Sequence, residues 1–124
     1  MIREWLAVAV GGLIGTLIRH SMASLFSLAG PLWLPLSTLL VNVVGCFAIG
    51  YLAEWSLTQQ TQNQWWVVAL RAGVLGGLTT FSSFGLDIVR LWQTERPEAA
   101  VGLASAHIVL GLAAVVVGMQ VARS

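Results

Sequence analysis

The sequence predicts an all-α integral membrane protein with four transmembrane helices, and three observations support this fold class. The 124 residues are 57% hydrophobic and only 9% charged, whereas a soluble domain carries about 25% charged residues. The six tryptophans lie at or near the ends of apolar stretches, where their amphipathic rings anchor at the headgroup level. The apolar stretches form one transmembrane domain over 1–124, and each is near the ~20 residues that a spanning helix needs: 5–26, 34–55, 65–86 and 99–122.

The first two spans combine small residues with a few polar ones. Gly11 and Gly15 form a GxxxG motif, and Arg19 follows one turn later; such small faces let helices approach closely in lipid. Asn42 lies near the middle of the second span. Because polar groups are expensive at this depth, each is a functional hypothesis. Asn42 either makes an interhelical hydrogen bond or donates its amide to an anion, and Arg19 either snorkels or draws anions to a vestibule.

The third span contains a segment that weakens a helix. In "GGLTTFSSF", residues 76–84, glycines adjoin β-branched threonines, which disfavours helix through backbone entropy and χ1 restriction. We therefore predict a break near 76–80. Irregular backbone at membrane depth is tolerated only inside protein or beside a wet cavity, and freed carbonyls coordinate cations. Phe81 and Phe84 share one helical face, where they either pack or present positive ring edges to an anion.

The fourth span carries a stripe of small residues with one polar member. That member, His107, is either a buried hydrogen-bonding histidine or a working proton carrier. The small-residue faces exceed what one four-helix bundle needs, which favours an oligomer. Near the end of the third span, Asp87 and Arg90 lie three residues apart on one face, and we expect them to pair.

The arginines predict how the chain assembles. With four spans, three arginines lie on each side of the membrane: Arg3, Arg71 and Arg123 against Arg19, Arg90 and Arg96. The positive-inside rule then gives no direction, so we expect insertion both ways round and an antiparallel dual-topology dimer. The alternative is a single orientation chosen by a partner protein.

Composition and motifs also exclude other functions. The net charge of +1 does not provide the basic surface that nucleic-acid binding requires. The sequence shows no metal-ligand cluster, catalytic triad or phosphate-binding loop.

These motifs resemble the CrcB/Fluc family of small fluoride channels. "GGLTTFSSF" is similar to the family's third-helix signature, "GGLIGTLIRH" to its glycine-rich first helix ending in arginine, and "STLLVNVVGCFAIG" to its asparagine-bearing second helix. The resemblance covers all four spans in order and length. It implies a non-enzymatic, passive channel that exports cytoplasmic fluoride across the bacterial inner membrane and gives resistance to fluoride.

The resemblance also implies a site and a cofactor. It implies a dual-topology homodimer in the lipid bilayer with two antiparallel pores, each using residues of both subunits. A structural Na⁺ on the dimer axis would be held by main-chain carbonyls of Gly76 and Thr79, and Arg19 would lie at the vestibule. The implied pore residues are Thr38, Asn42, Phe81, Ser82, Phe84 and His107.

The fourth span departs from the family pattern of hydroxyls at four-residue intervals. The aligned positions hold Leu103, His107, Gly111 and Val115, and only the histidine can hydrogen-bond through its side chain. This leaves open a slower channel, or pairing with a non-identical homologue.

Two other classes of protein compete with a channel. A small four-helix cation or multidrug exporter needs a membrane-embedded carboxylate, whereas Glu4 and Glu54 lie at span ends. A non-transporting membrane assembly subunit is the third possibility.

Overall fold

Four long apolar helical spans make up the protein. The computed structural model describes the backbone of residues 1–124 and every side chain except that of Leu32. The spans are long and apolar enough to cross a bilayer, which confirms the predicted all-α class with four transmembrane helices. Each helix continues a few residues past its predicted apolar stretch, because helical hydrogen bonding extends into polar end residues. The spans are α1 (Ile2–Leu28), α2 (Leu34–Thr58), a third span (Trp65–Gln93) and α6 (Pro97–Arg123).

Short connections with helix-stopping residues join the spans. Gly30 has φ of 116°, a conformation that favours glycine, and it precedes a 3₁₀ helix over Pro31–Trp33. Pro97 lies in the first turn of α6, where its missing N–H leaves no helical hydrogen bond unmade. These short turns make consecutive spans antiparallel neighbours.

The third span changes backbone geometry along its length. Thr79 has φ −82° and ψ 152°, and Thr80 has φ −150° and ψ 123°, so both residues are extended. The seven-residue π-helical segment has no counterpart in the sequence-based expectations. In chain order the span consists of α3 (Trp65–Val68), the π-helical segment (Ala69–Leu75), α4 (Gly76–Leu78), extended Thr79 and Thr80, and α5 (Phe81–Gln93).

The GxxxG face of α1 packs against the third span with almost no space between backbones. A Cβ on Gly11 would lie 2.8 Å from Ala69 O, and a Cβ on Gly15 would collide with Val74 O. Both glycines are buried. The close approach predicted for this face is confirmed, and it fixes the segment immediately before Thr79.

Helices α2 and α6 form the other close pair. A Cβ on Gly50 would collide with the carbonyl of Val115, and Gly118 meets the α2 main chain in the same way. Near the ends of these helices, Arg123 Nε donates to Glu54 Oε1 over 2.8 Å. The close contact with α6 therefore fixes the position of α2, one face of which meets the extended residues Thr79 and Thr80.

The buried apolar core is small and lies beside the extended segment. Val41 of α2 packs with Leu75 and Leu78, which lie four residues and one residue before Thr79. Most large apolar side chains are exposed instead, as expected for helices whose surroundings are lipid. The core thus positions the turn between α4 and α5 against the middle of α2.

Candidate functional site

The Asn42 side chain pairs with the main chain of Thr80. Asn42 Nδ2 donates to Thr80 O over 2.9 Å, and the Thr80 N–H donates to Asn42 Oδ1 over 2.8 Å. In a continuous helix the Thr80 N–H would donate to the Gly76 carbonyl. Asn42 therefore takes the place of the helical partner and stabilises the extended backbone. The second hydrogen of Nδ2 is not used in this pair, so the amide can also donate to an anion.

Arg19 satisfies a second backbone group at the same place. Its Nε donates to the Gly77 carbonyl over 3.0 Å, which in a continuous helix would accept from Phe81. The Arg19 side chain thus contacts the main chain of the third span and does not only extend to the membrane surface. Beside it lies a cavity of about 310 Å³, which Arg19 lines together with hydroxyl-bearing residues: Thr16, Ser37, Thr38, Thr80 and Ser83.

Two carbonyls in this region lose the N–H groups that a helix would supply. The Thr80 N–H, the helical partner of Gly76 O, donates to Asn42. The Ser83 N–H, the helical partner of Thr79 O, donates to Thr80 Oγ1 over 3.2 Å. Gly76 is also exposed on the surface of the chain. Both carbonyls that the resemblance implies for Na⁺ therefore lack the donors that a continuous helix would give them.

Three rings form a continuous row next to the extended segment. The centroids of Phe81 and Phe84 lie 5.4 Å apart at an interplanar angle of 50°, and those of Phe84 and His107 lie 4.5 Å apart at 48°. These tilted arrangements direct ring edges toward neighbouring faces. Phe81 is 82% exposed, so its ring projects from the chain surface.

One cavity of about 420 Å³ brings most of the predicted site residues together. It lies where α2, α5 and α6 meet the extended segment. Its lining includes the amide, the rings and the two carbonyl-bearing residues: Asn42, Gly76, Thr79, Phe81, Phe84 and His107. The cavity therefore combines hydrogen-bond donors with aromatic edges inside an otherwise apolar span, an arrangement suited to binding an anion.

Thr38 and Ser82 lie outside that lining. Thr38 is buried, and its Oγ1 donates to Asp87 Oδ2 over 2.9 Å. The expected pairing of Asp87 with Arg90 is wrong, because Asp87 turns toward α2, where the threonine hydroxyl satisfies it. Ser82 Oγ lies 3.2 Å from Thr80 Oγ1 at the start of α5.

Thr80 is the residue that sequence analysis missed. Its side chain caps α5 by accepting from the Ser83 N–H, and its backbone pairs with Asn42. A threonine directly before the first residue of a helix is an N-cap signal. Arg71, which entered the sequence analysis only through the count of arginines, lines the same cavity as Asn42.

The four spans define a multi-pass α-helical membrane protein, and the candidate site lies part-way along the third span, at Thr79 and Thr80. Residues 6–119 match the family described as "CrcB-like protein, Camphor Resistance (CrcB)". The chain belongs to this family, as its motifs led us to expect.

Curated relatives match over nearly the whole chain. A protein of Paracoccus denitrificans is 40% identical over 123 residues, which cover 99% of this chain and 97% of that protein. A protein of Stutzerimonas stutzeri is 41% identical over 123 residues, covering 99% of both chains. A protein of Rhizobium leguminosarum bv. trifolii is 43% identical over 122 residues, covering 96% of this chain and 95% of that protein. All three are named "Fluoride-specific ion channel FluC".

Proposed function

We propose that this protein is a fluoride-selective channel that lets cytoplasmic fluoride leave the cell down its electrochemical gradient. The observation that carries the proposal is the cavity that Asn42, Phe81 and Phe84 line together, in a chain about 40% identical to proteins named as fluoride channels. Fluoride is small and strongly hydrated, so a narrow path must replace water with N–H donors and positive ring edges. Chloride, being larger and softer, uses such a path less well.

Release of fluoride that has accumulated in the cytoplasm requires only a passive pathway. Hydrogen fluoride is a weak acid that crosses membranes as a neutral molecule and dissociates in a less acidic cytoplasm. The trapped anion then accumulates behind the bacterial inner membrane. A channel there relieves the accumulation without ATP or any chemical step, so the protein is not an enzyme and confers fluoride resistance.

The functional unit in this proposal is an antiparallel dual-topology homodimer. Unsatisfied backbone at membrane depth cannot face lipid, yet Gly76 is exposed and the helical donor of its carbonyl is diverted to Asn42. A second copy packed over this surface removes the conflict. The same copy would cover Phe81, which is 82% exposed, and would place that ring in a pathway shared between subunits. The equal division of the arginines supports opposite orientations.

A Na⁺ ion on the dimer axis would complete the assembly. Backbone carbonyls freed from a helix are the groups that coordinate Na⁺ in membrane proteins, and the helical donors of Gly76 O and Thr79 O are both diverted. One chain offers two such oxygens, so a symmetric pair offers four. The bound cation supplies a positive charge that holds the two chains together and favours anions nearby. None of the described residues forms a side-chain metal cluster, which fits main-chain ligation.

The exporter alternative finds little support among the acidic groups. Glu54 forms an ion pair with Arg123 near the helix ends, and Asp87 accepts a hydrogen bond from Thr38. A proton-coupled cation exporter needs a carboxylate free to exchange protons and substrate. Neither of these carboxylates is placed for that exchange.

Fluoride efflux from liposomes tests the proposal. Vesicles loaded with potassium fluoride and containing the purified protein are diluted into fluoride-free buffer, and external fluoride is followed with an electrode. We expect rapid efflux only after valinomycin provides a path for K⁺, because the channel moves charge. Matched vesicles loaded with chloride should release much less anion. Efflux equal to that of protein-free vesicles would contradict the channel and favour the assembly-subunit alternative.

A further inference from the structure

The hydrogen bonding of His107 determines which of its ring nitrogens carries a proton. Nδ1 lies 3.0 Å from the Leu103 carbonyl oxygen. A carbonyl oxygen can only accept, so Nδ1 must be the donor in this contact. Nε2 is buried and has no hydrogen-bond partner among the groups that the structure describes. In the neutral imidazole, Nε2 then presents only a lone pair.

His107 lines the proposed anion pathway, where a lone pair is unfavourable for the anion. Neutral His107, with its proton held at Nδ1, cannot donate a hydrogen bond to fluoride. Protonation converts Nε2 to a donor and adds a positive charge, and a fluoride that accepts from this donor would satisfy a buried polar atom that is otherwise expensive to leave unpaired. Histidine is the side chain whose unperturbed charge change falls between pH 5 and 8.

The surroundings of His107 supply no counter-charge for an imidazolium. The titratable groups that line the same cavity are the Cys46 thiol of α2 and the Arg71 guanidinium of the π-helical segment. None of the described residues lining it is a carboxylate. Asp87 of α5 lines a different cavity, together with Arg90, and it already accepts from Thr38. On α6 itself, the charged residues are Glu98 and Arg123, near its two ends.

We infer that His107 binds a proton and an anion together, so that fluoride occupies the site mainly when the imidazole is charged. The inference rests on the proposed function and adds its regulation by pH. The proton binds Nε2 from bulk solution and stays on the ring, while fluoride accepts the Nε2–H hydrogen bond and then moves on. Charge still crosses the membrane with each anion, so the requirement for valinomycin remains.

The coupling between proton binding and fluoride binding fixes the direction in which pH changes the affinity for fluoride. Because the two ligands stabilise each other, fluoride must favour the protonated imidazole by the same factor by which protonation favours fluoride. Fluoride affinity is therefore full at low pH and falls as pH rises through the titration of His107. The fall reaches at most tenfold per pH unit, since one proton is involved. The channel would be most active in acid, the condition in which hydrogen fluoride enters cells fastest.

Two substitutions separate the proton from the hydrogen bond. His107→Gln places a permanent, neutral N–H near the position of Nε2, whereas His107→Asn retains a donor near Nδ1 and has none near Nε2. Efflux is measured from pH 6 to pH 8.5, with equal pH on both sides and the leak of protein-free vesicles subtracted. We expect efflux by the unsubstituted protein to fall several-fold over this range. Both variants should be flat with pH, the glutamine variant conducting faster than the asparagine variant.

A second measurement observes the coupling directly. The chain has two histidines, and His20 lines the same cavity as Arg19, so the spectrum of the His107→Gln variant serves to assign their NMR signals. Saturating fluoride should shift the His107 titration to higher pH, whereas chloride should not. Efflux that is independent of pH, or a titration unmoved by fluoride, would overturn this inference while the channel stands. Absence of efflux at every pH would instead contradict the proposed function, and the titration would still decide whether anion and proton bind together.

Discussion

Adding a methyl group at Gly45 should disturb the contact between α2 and the extended segment, and removing one from Thr79 should restore it. A Cβ on Gly45 would collide with Thr79 Cγ2, whereas the next atom, Thr79 Cβ, lies at an ordinary 3.7 Å. Thr79 is not free to rotate away, because its Oγ1 donates to Leu75 O over 2.9 Å. Thr79→Ser removes the colliding methyl and keeps that hydrogen bond.

The expected magnitudes follow from this geometry. Gly45→Ala overpacks a buried site and should lower the free energy of unfolding by about 1–3 kcal/mol. Thr79→Ser alone loses one partly buried methyl group, worth about 0.8 kcal/mol. In the double variant the collision is absent, so its loss of stability should be close to that of Thr79→Ser alone. The double variant should therefore lose less stability than the sum of the two single variants, and the difference should be most of the energy that overpacking costs in Gly45→Ala.

Unfolding in detergent micelles, followed by fluorescence of the six tryptophans, measures these differences. Gly102→Ala is the matched control, because a Cβ there has nothing within 4 Å and alanine favours helix. We expect it to be neutral or stabilising. If the double variant loses the sum of the two single losses, Gly45 and Thr79 do not meet as described and the reasoning fails.

Three further predictions concern the site and the assembly. Asn42→Asp replaces the amide donor facing Thr80 O with a negative charge, so efflux should be abolished. The free energy of unfolding should fall by about 1–3 kcal/mol. Normal efflux would show that this amide is dispensable. Arg19→Gln should reduce efflux more at low than at high ionic strength, because salt screens the attraction of anions; an equal loss at both would leave only a packing role. In a Cys46→Ser background, Asn63→Cys should be labelled by impermeant reagents from both sides of the membrane, and labelling from one side alone would remove dual topology.

Local chemistry made much of this fold predictable. Apolar length alone identified the four spans, since a bilayer demands about 20 apolar residues per helix. The glycine spacing identified the faces where backbones meet, as at Gly11 and Gly15. Helix-weakening residues marked the segment where Thr79 and Thr80 are extended. Each of these signals lies within one or two turns of chain.

Contacts between distant parts of the chain were not predictable in the same way. Thr38 and Asp87 are 49 residues apart, and no pattern in the sequence links them, so the nearer Arg90 was the expected partner. The π-helical segment over Ala69–Leu75 packs closely against Gly11 and Gly15 of α1, a contact that its own composition does not predict. The orphaned Nε2 of His107 likewise depends on what surrounds the ring in three dimensions.

The most direct test of the account asks whether fluoride passes along the rings of Phe81 and Phe84. Replacing either one with isoleucine keeps apolar bulk and deletes the positive ring edge. Fluoride efflux is measured from liposomes containing each purified variant, with gel filtration confirming that the variant folds and assembles as the unsubstituted protein does. The account predicts that each variant loses most of its fluoride efflux, because both pores of the proposed dimer use both rings. Undiminished efflux in both variants would contradict it and leave the rings as packing groups.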